Sequence, residues 1–474
     1  MTVPFTLRRA AAAPLHKQIY EQWRDAILSG RFRPGEKVPS TRLFAETHGV
    51  SRVTAAAAYD QLLAEGYFTT RHGAGTYVSP ELPDDVLRPV GVKSTAKIET
   101  APVPLSAYAR RLGDIRRPEL SRHTINLSMV APDLSHFPAA LWRRLISRHL
   151  RRASPEIFTY SLDPAGDLRL RRAIAAHLAK SRAVHCTAEQ VIVVSGSQQA
   201  LDLCARLFLD PGDEAAVEEP GYPGARQLFA ANGASLRTLT VTDTGAAVDG
   251  LTAKTRVCYV TPSHQFPTGV AMSLARRLEL LEWARGRRAV ILEDDYDSDF
   301  RYSGPPLPAM HSLAAGAAVI YIGTFSNVMF RGLRIGYVIV PPDLIARFTA
   351  AKWMADRHTP LVEQAALADF MEEGHFDRHV RRMRRLYKGR RDALLAALHH
   401  HFGERASVQG DAAGLHLTVR FADGDAVKRR AERAGVHLND TSIYYRHRRR
   451  PEEFVLGFAA IGERTIRTAI AAIA

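Results

Sequence analysis

The chain has 474 residues, 46% of them hydrophobic and 24% charged, which excludes a disordered or fibrous protein and predicts two or more globular domains. Its formal net charge of +15 permits a polyanionic partner. Three scattered cysteines exclude a disulfide framework, and no stretch reaches the roughly 18 apolar residues of a membrane-spanning helix. We therefore expect a soluble, cytoplasmic protein with no membrane contact.

Residues 14–80 carry patterns typical of three helices followed by a hairpin. Apolar residues at helical spacing predict a first helix over 14–29. Ser40 begins a second, short helix that ends before Gly49, and we expect Leu43 and Phe44 to face inward. A tight turn then leads into the next helix.

The third predicted helix has the features of a helix that reads DNA bases. Ser51 caps it, and its first turn presents Arg52 and Thr54 to the outside, where side chains of a recognition helix reach base edges. The residues predicted to pack on its inner face are Val53, Ala57 and Leu62. The alternating segment 67–78 suits the wing of a winged helix-turn-helix.

The segment LSGRFRPGEKVPSTRLFAETHGVSRVTAAAAYDQLLAEGYFTTRHGAGTYV, residues 28–78, resembles the GntR family of winged-helix regulators. The resemblance implies that Arg42 and Arg52 contact phosphates or guanines and that Thr54 lies against base or backbone. It also implies that His72 and Gly73 at the wing tip enter the minor groove. The alternative is an ordinary three-helix unit with solvated arginines, but the order of the motifs favours a double-stranded DNA operator as partner.

A proline-rich stretch separates this unit from the rest of the chain. We assign 12–81 to the winged helix-turn-helix, 82–122 to a linker and 123–474 to a second domain. Helices alternate with short apolar strands in the second domain, which predicts an α/β fold with a mostly parallel central sheet. Its large part spans about 160–340, and its small part comprises about 341–474 together with the start of the domain.

Two groups of residues in the second domain suit the phosphate of pyridoxal 5'-phosphate (PLP). Ser197 and Gln198 follow a strand and open a helix, and a helix N-terminus attracts phosphate. Thr324, Ser326 and Arg334 add two hydroxyls and a guanidinium fork that matches a phosphate. The first group alone is a weak signal, because strand-to-helix turns rich in glycine and serine are common.

Other residues suit the ring of the same cofactor. Tyr222 follows a strand and offers an aromatic face for stacking. Asp294 ends another strand, where a carboxylate can hold a pyridine nitrogen protonated, and the phenol of Tyr296 can reach the ring oxygen. An ordinary buried tyrosine and carboxylates that bind nothing are the alternative interpretation.

Taken together, these residues resemble a fold-type I PLP-dependent aminotransferase, and with the winged helix in front the chain resembles the MocR subgroup of GntR regulators. YSLDPAGDLRLRRAIAAHL at 160–178, TPSHQFPTG at 261–269 and LEDDYDSDFRY at 292–302 support the resemblance over residues 12–474. It implies a homodimer. It also assigns phosphate contacts to Ser197, Gln198, Thr324, Ser326 and Arg334, and ring contacts to Tyr222, Asp294 and Tyr296.

One position departs from the family and decides the chemistry. The residue after GTFS, which in the family is the lysine of the internal aldimine, is Asn327. An amide nitrogen is not nucleophilic and cannot act as the general base of transamination, so we assign no catalytic residue. Lys352 is the nearest lysine in sequence, but it lies past the next strand on a predicted helix, which disfavours it as a substitute.

Three interpretations of the pocket remain open. PLP binds without a covalent link, a preformed aldimine of PLP with an amino acid is the ligand, or the pocket is structural and empty. We favour an occupied pocket in a transcription regulator that senses PLP or a small amino compound. The alternatives are an aminotransferase with an appended DNA-binding domain and a PLP-independent scaffold.

Two basic runs have no assigned role. Residues 378–391 hold eight Lys and Arg residues on one predicted helix, which we interpret as a solvated face, with a second DNA contact as the alternative. The run 446–450 can lie near the pocket mouth, where these folds commonly hold an arginine for a substrate carboxylate. No arginine occurs in FVLGFAA at 454–460, so the carboxylate partner of an effector stays open.

Overall fold

The computed structural model describes residues 5–8, 13–71, 74–83, 103–113, 125–128, 130–151, 158–314, 316–447 and 450–474. The chain divides into two compact units, Met1–Val103 and Pro104–Ala474. Most of the linker predicted at 82–122 lies outside the described residues, so the predicted domain boundaries stay predictions. No helix within the described ranges is long and apolar enough to cross a membrane.

The first unit has the predicted order of three helices and a hairpin. Its elements are α1 (Leu15–Leu28), α2 (Thr41–His48), α3 (Arg52–Ala64), β1 (Phe68–Arg71) and β2 (Gly75–Val78). They enclose an aromatic core around Trp23, whose ring centroid lies 5.4 Å from that of Phe68 and 6.0 Å from those of Phe44 and Tyr59. This core fixes α3 against α1 and leaves the N-terminus of α3 at the surface.

The packed face of α3 differs from the prediction. Ala55, Ala58 and Tyr59 are buried beside the predicted Leu62. In contrast, Val53 is 79% exposed, Leu43 of α2 is 54% exposed, and Ala57 is exposed as well. Our assignment of these three residues to the core was wrong, because the alanine run at 55–58 carries too little hydrophobic contrast to indicate which face packs.

The second unit contains an eight-stranded sheet. Its strands are β4 (Val191–Val194), β5 (Glu214–Glu219), β6 (Ser235–Thr242), β7 (Gly245–Ala246), β8 (Thr255–Val260), β9 (Val290–Asp295), β10 (Ala318–Thr324) and β11 (Gly336–Ile339). Their order across the sheet is β4-β11-β10-β9-β8-β5-β6-β7. Strands β10, β9, β8, β5 and β6 pair in parallel, whereas β11 runs antiparallel to both of its neighbours. The prediction of a mostly parallel sheet is confirmed.

Helices cover this sheet and extend into a smaller region. They are α4 (Ala107–Leu112), α5 (Ala139–Arg151), α6 (Leu168–Arg182), α7 (Ser197–Phe208), α8 (Pro223–Ala231), α9 (Leu274–Arg287), α10 (Ile345–Asp356), α11 (Leu361–Glu372), α12 (His375–Phe402), α13 (Gly424–Arg433) and α14 (Glu463–Ile473). A three-stranded sheet of β12 (Ala406–Gln409), β13 (His416–Phe421) and β15 (Glu453–Gly457) belongs to the smaller region, as do β3 (Ile125–Asn126) and β14 (Val436–His437), which pair with each other. The predicted basic helix is α12, and its Arg390 is buried in an ion pair with Asp133.

The topology of the sheet indicates where a candidate site lies. In an open α/β sheet, ligands bind at the carboxyl ends of parallel strands. Strands β5, β8, β9 and β10 end at Glu219, Val260, Asp295 and Thr324. Of the predicted site residues, Tyr222, Tyr296 and Ser326 follow these ends, and Asp294 and Thr324 lie within them. Ser197 and Gln198 instead follow β4, and Arg334 precedes β11.

Candidate functional site

The N-terminus of α3 is presented to solvent by a tight turn from α2. Gly49 ends α2 in the left-handed conformation, with φ 63°, and the hydroxyl of Ser51 accepts a hydrogen bond from the Thr54 N–H at 3.1 Å. Arg52 is exposed in the first turn, next to the exposed Val53. A guanidinium beside an apolar side chain can read guanine and a thymine methyl group in the major groove.

Of the other four predicted DNA contacts, the structure describes two. Arg42 is on the exposed face of α2, where its Nε donates to Glu46 at 3.1 Å, a surface pair of small energetic value. The Thr54 hydroxyl is hydrogen-bonded to that of Ser51 at 2.7 Å. His72 and Gly73 lie outside the described residues. Arg71, the residue before them in the chain, was not singled out from the sequence. Its guanidinium lies 4.7 Å from the ring centroid of Tyr77 on the neighbouring wing strand.

The predicted phosphate end is built where β4 turns into α7. Gly196 caps α7 with φ 86°, and Ser197 is its first helical residue, so the N–H groups of Ser197 and Gln198 have no partner within the helix. The Arg334 guanidinium lies across this turn and donates to the Ser195 carbonyl at 2.6 Å. A Cβ at Gly196 would lie 3.1 Å from that guanidinium, so the glycine permits the close approach.

Further predicted residues border this end. The Tyr222 hydroxyl donates to the Gln198 side-chain oxygen at 3.4 Å. Thr324 and Ser326 occupy the turn after β10, where the Ser326 N–H donates to the Thr324 hydroxyl at 3.2 Å. That turn and the start of α7 are adjacent, since a Cβ at Gly336 would lie within 3.1 Å of both Gly323 and Gly196.

Asp294 supplies a buried carboxylate with one unused oxygen. Its Oδ2 accepts a hydrogen bond from the Tyr259 hydroxyl at 2.8 Å, while Oδ1 is buried without a partner in the described residues. Burial raises the pKa of Asp294 to about 7. An unpaired buried carboxylate oxygen costs free energy unless a donor reaches it, so this atom is a candidate position for a ligand donor. Sequence reasoning found Asp294 but not its partner Tyr259.

Tyr296 is held by a pair that sequence reasoning also missed. Its hydroxyl lies 3.0 Å from His264 Nδ1, which lies 2.9 Å from a carboxylate oxygen of Asp297. His264 and Asp297 are 3% and 2% exposed. Because a carboxylate only accepts, Nδ1 carries the proton and shares it between Asp297 and Tyr296. His264 stands in the quoted TPSHQFPTG motif, where a polar residue just after a strand end was the available signal.

Asn327 lies beside Tyr296, at the position predicted to lack a Schiff base. Its amide Nδ2 donates to the Tyr296 carbonyl at 3.0 Å, and this hydrogen bond anchors the side chain beside Tyr296. The Lys352 ammonium is fully buried and committed elsewhere, to Asp356 and, at 3.1 Å, to Thr359. Burial lowers the pKa of Lys352. The geometry therefore gives Lys352 no role in place of Asn327.

The buried charge of Asp294 predicts a pH-dependent stability. In the unfolded chain this carboxyl ionises near its usual pKa, whereas burial raises the folded pKa to about 7. Stability from this group is therefore lost as pH rises from about 4 to 7. Asp294→Asn should stabilise the ligand-free protein at pH 8 by on the order of 2–4 kcal/mol, with the gain shrinking toward pH 5. Urea unfolding at both pH values measures it.

Asp295→Asn is the matched control for that measurement. Asp295 is the next residue and is also buried, but it is paired with Arg182 at 2.7 Å and accepts from the Tyr321 hydroxyl at 2.6 Å. Its removal leaves a buried cation unpaired and should destabilise at both pH values by roughly 3–5 kcal/mol. Equal destabilisation by both substitutions at pH 8 would contradict the assignment of an unpaired charge to Asp294.

Comparison with known proteins matches two families to the two units. The bacterial regulatory proteins of the gntR family match residues 15–78, and aminotransferase class I and II matches residues 122–473. The "Probable rhizopine catabolism regulatory protein MocR" of Rhizobium meliloti is 38% identical, covering 98% of this chain and 94% of that protein. The HTH-type transcriptional regulator TauR of Rhodobacter capsulatus is 32% identical, covering 100% of this chain and 99% of that protein.

Solved structures resemble the second unit. Kynurenine aminotransferase of Pyrococcus horikoshii, in complex with PMP, is 30% identical with a TM-score of 0.68, covering 74% of this chain and 89% of that one. The α-aminoadipate aminotransferase LysN of Thermus thermophilus, complexed with N-(5'-phosphopyridoxyl)-L-leucine, is 27% identical with a TM-score of 0.67. The match covers 78% of this chain and 93% of that one. The second unit therefore has the aminotransferase fold.

These findings define a class, a DNA-binding transcription regulator in which a winged helix-turn-helix precedes an aminotransferase-like domain. Within that class, the chain belongs to the MocR group of GntR-type regulators.

Proposed function

We propose that this regulator binds PLP without a covalent link and that binding changes its affinity for an operator. The carrying observation is the buried Oδ1 of Asp294, which has no partner in the described residues and suits a protonated pyridine nitrogen. The pKa of about 7 for Asp294 in the ligand-free pocket fits this role, because a cationic ring N–H would stabilise the ionised carboxylate.

The residues at the other end of the pocket fit the phosphate. Arg334 lies against the N-terminus of α7, so a guanidinium and a helix terminus act on the same place. Ser197, Gln198, Thr324 and Ser326 add hydroxyl and amide donors around this end. Tyr222 supplies an aromatic face, and Tyr296, held by His264, supplies a hydroxyl for the ring oxygen.

Asn327 disfavours the alternative of an aminotransferase with an appended DNA-binding domain. PLP, when bound, supplies an aldehyde that combines with amines and a ring that withdraws electrons. An amide that donates to the Tyr296 carbonyl supplies neither a nucleophile nor a base. The pocket then holds PLP, or a preformed adduct of PLP with a small amino compound, as a signal.

Sensing requires that the ligand bind two states of the regulator with different affinity. We propose a homodimer, because two winged helices on one assembly read two half-sites of an operator. The DNA contacts we propose are Arg42, Arg52, Thr54, His72 and Gly73. Because it would bind the chromosome, we propose that the protein acts in the cytoplasm of a bacterium.

The test measures operator affinity of the full chain by fluorescence anisotropy, on a DNA fragment selected in vitro by the protein. Saturating PLP should shift the dissociation constant by about 5-fold or more. Pyridoxamine phosphate lacks the aldehyde, so a shift with this compound excludes modification of surface lysines. Pyridoxal without phosphate should have no effect at equal concentration. Unchanged affinity with both phosphorylated compounds would refute the proposal.

A further inference from the structure

The first two turns of α3 expose very few hydrogen-bonding groups. Arg52, Val53 and Ala57 are exposed there, whereas Ala55 and Ala58 are buried against the core of the first unit. The sequence of these turns contains no amide and no carboxylate side chain. Their exposed side chains are therefore one guanidinium and two apolar groups.

Thr54 is the other polar residue of these turns, and its hydroxyl is engaged within the protein. It lies 2.7 Å from the Ser51 hydroxyl, which also accepts a hydrogen bond from the Thr54 N–H at 3.1 Å. Thr54 is half-buried. The cap holds this hydroxyl at the start of the helix, so the exposed positions beyond Arg52 offer no donor or acceptor from a side chain.

Val53 and Ala57 form one apolar strip on α3. They are four residues apart, and residues at this spacing are neighbours on one face of a helix. Val53 is 79% exposed and lies outside the packed core of the first unit. Its β-branched side chain has one strongly preferred rotamer in a helix, so its methyl groups have a fixed position before DNA binds. The exposed, acidic Asp60 follows on the same face and ends the strip.

The major groove of DNA offers one apolar group to such a strip, the C5 methyl of thymine. The other bases present amino groups, carbonyls and ring nitrogens there. These polar groups lose bound water against valine or alanine without gaining a hydrogen bond, which costs free energy. An apolar strip in the groove therefore favours thymine and disfavours the other bases at the same positions.

We propose that Val53 and Ala57 read thymine methyl groups in the operator, next to a guanine that Arg52 reads. This inference rests on the proposed function, in which the start of α3 contacts the operator, and it names the chemistry of that partner, a half-site with thymine beside guanine. Removing one methyl group from water favours binding by about 4-fold. Two such contacts together favour thymine by about 10-fold or more.

Deoxyuridine tests the inference, because it differs from thymidine only in lacking the methyl group. The operator fragment selected in vitro by the protein is synthesised with thymines replaced one at a time. Fluorescence anisotropy at one fixed PLP concentration then measures the affinity of the full chain for each fragment. At least one replacement beside a guanine should weaken binding of the native protein by about 3-fold or more.

Variants of the strip connect this effect to α3. Val53→Ser should bind the thymine operator about 3-fold or more weakly, and it should no longer distinguish thymine from deoxyuridine at the position that Val53 reads. Val53→Thr keeps one of the two methyl groups and should keep part of the distinction. Ala64→Ser is the matched control, because Ala64 is an exposed apolar residue at the opposite end of α3. It should keep the full preference.

The outcomes separate this inference from the proposed function. Equal affinity of the native protein for the thymine operator and every deoxyuridine operator overturns the reading of methyl groups but leaves operator binding in place. A preference that persists unchanged in Val53→Ser also overturns it, because the methyl group then acts through the shape of the DNA. If the native protein selects no operator fragment, the proposed function falls and the inference falls with it.

Discussion

Asn327→Lys should convert the protein from one that holds PLP reversibly into one that fixes it. Asn327 is anchored 3.0 Å from the Tyr296 carbonyl, beside the residue proposed to contact the ring oxygen. A lysine there carries a primary amine that attacks the PLP aldehyde, forming a C=N bond and releasing water. Borohydride should then leave PLP covalently attached to residue 327 in near-stoichiometric yield, with no attachment at this position in the native protein.

Asn327→Gln is the control, because it lengthens the side chain without supplying an amine. Absorbance spectra before and after borohydride, followed by peptide mass analysis, distinguish attachment at residue 327 from reaction with surface lysines. Fixation of PLP in the native protein would contradict the claim that no lysine is engaged. Failure of Asn327→Lys to fix PLP would contradict the placement of the ring beside Asn327 and Tyr296.

Arg52→Ala should remove most of the operator affinity. Arg52 is exposed in the first turn of α3, where the turn after Gly49 and the Ser51 cap present it. Loss of one bidentate base contact costs about 1–3 kcal/mol, a weakening of roughly 5- to 150-fold. Anisotropy titrations on the selected operator fragment measure this loss.

Arg31→Ala is the matched control, since it removes the same charge from the same unit but from the loop after α1. It should change affinity only slightly. The slope of affinity against salt adds a second readout, because a lost phosphate contact reduces that slope by about one whereas a lost base contact relaxes sequence preference. Native affinity in Arg52→Ala would show that the first turn of α3 does not contact DNA.

The sequence was sufficient for features that depend on local patterns. Glycine and serine at helix ends predicted α1, α2 and α3 closely, and the strand that leads into Ser197 placed α7 correctly, because caps and turns act over a few residues. The inner face of α3 could not be predicted, since four consecutive alanines give no contrast between faces.

Local patterns could not predict contacts between residues that are far apart in the chain. Tyr259 meets Asp294 across 35 residues, and His264 meets Asp297 across 33, so only the sheet brings them together. The chemistry of Asn327 was accessible from sequence, because the side chain alone decides it.

The anchoring of Asn327 has a consequence for timing. PLP that is linked covalently to a lysine stays bound after its free concentration falls, so its occupancy reflects the earlier supply. A group held only by hydrogen bonds and charge equilibrates with its free concentration, and the fraction of sites filled follows the supply at that moment. If PLP is bound as proposed, an amide at residue 327 therefore gives a pocket whose occupancy falls when the free PLP concentration falls.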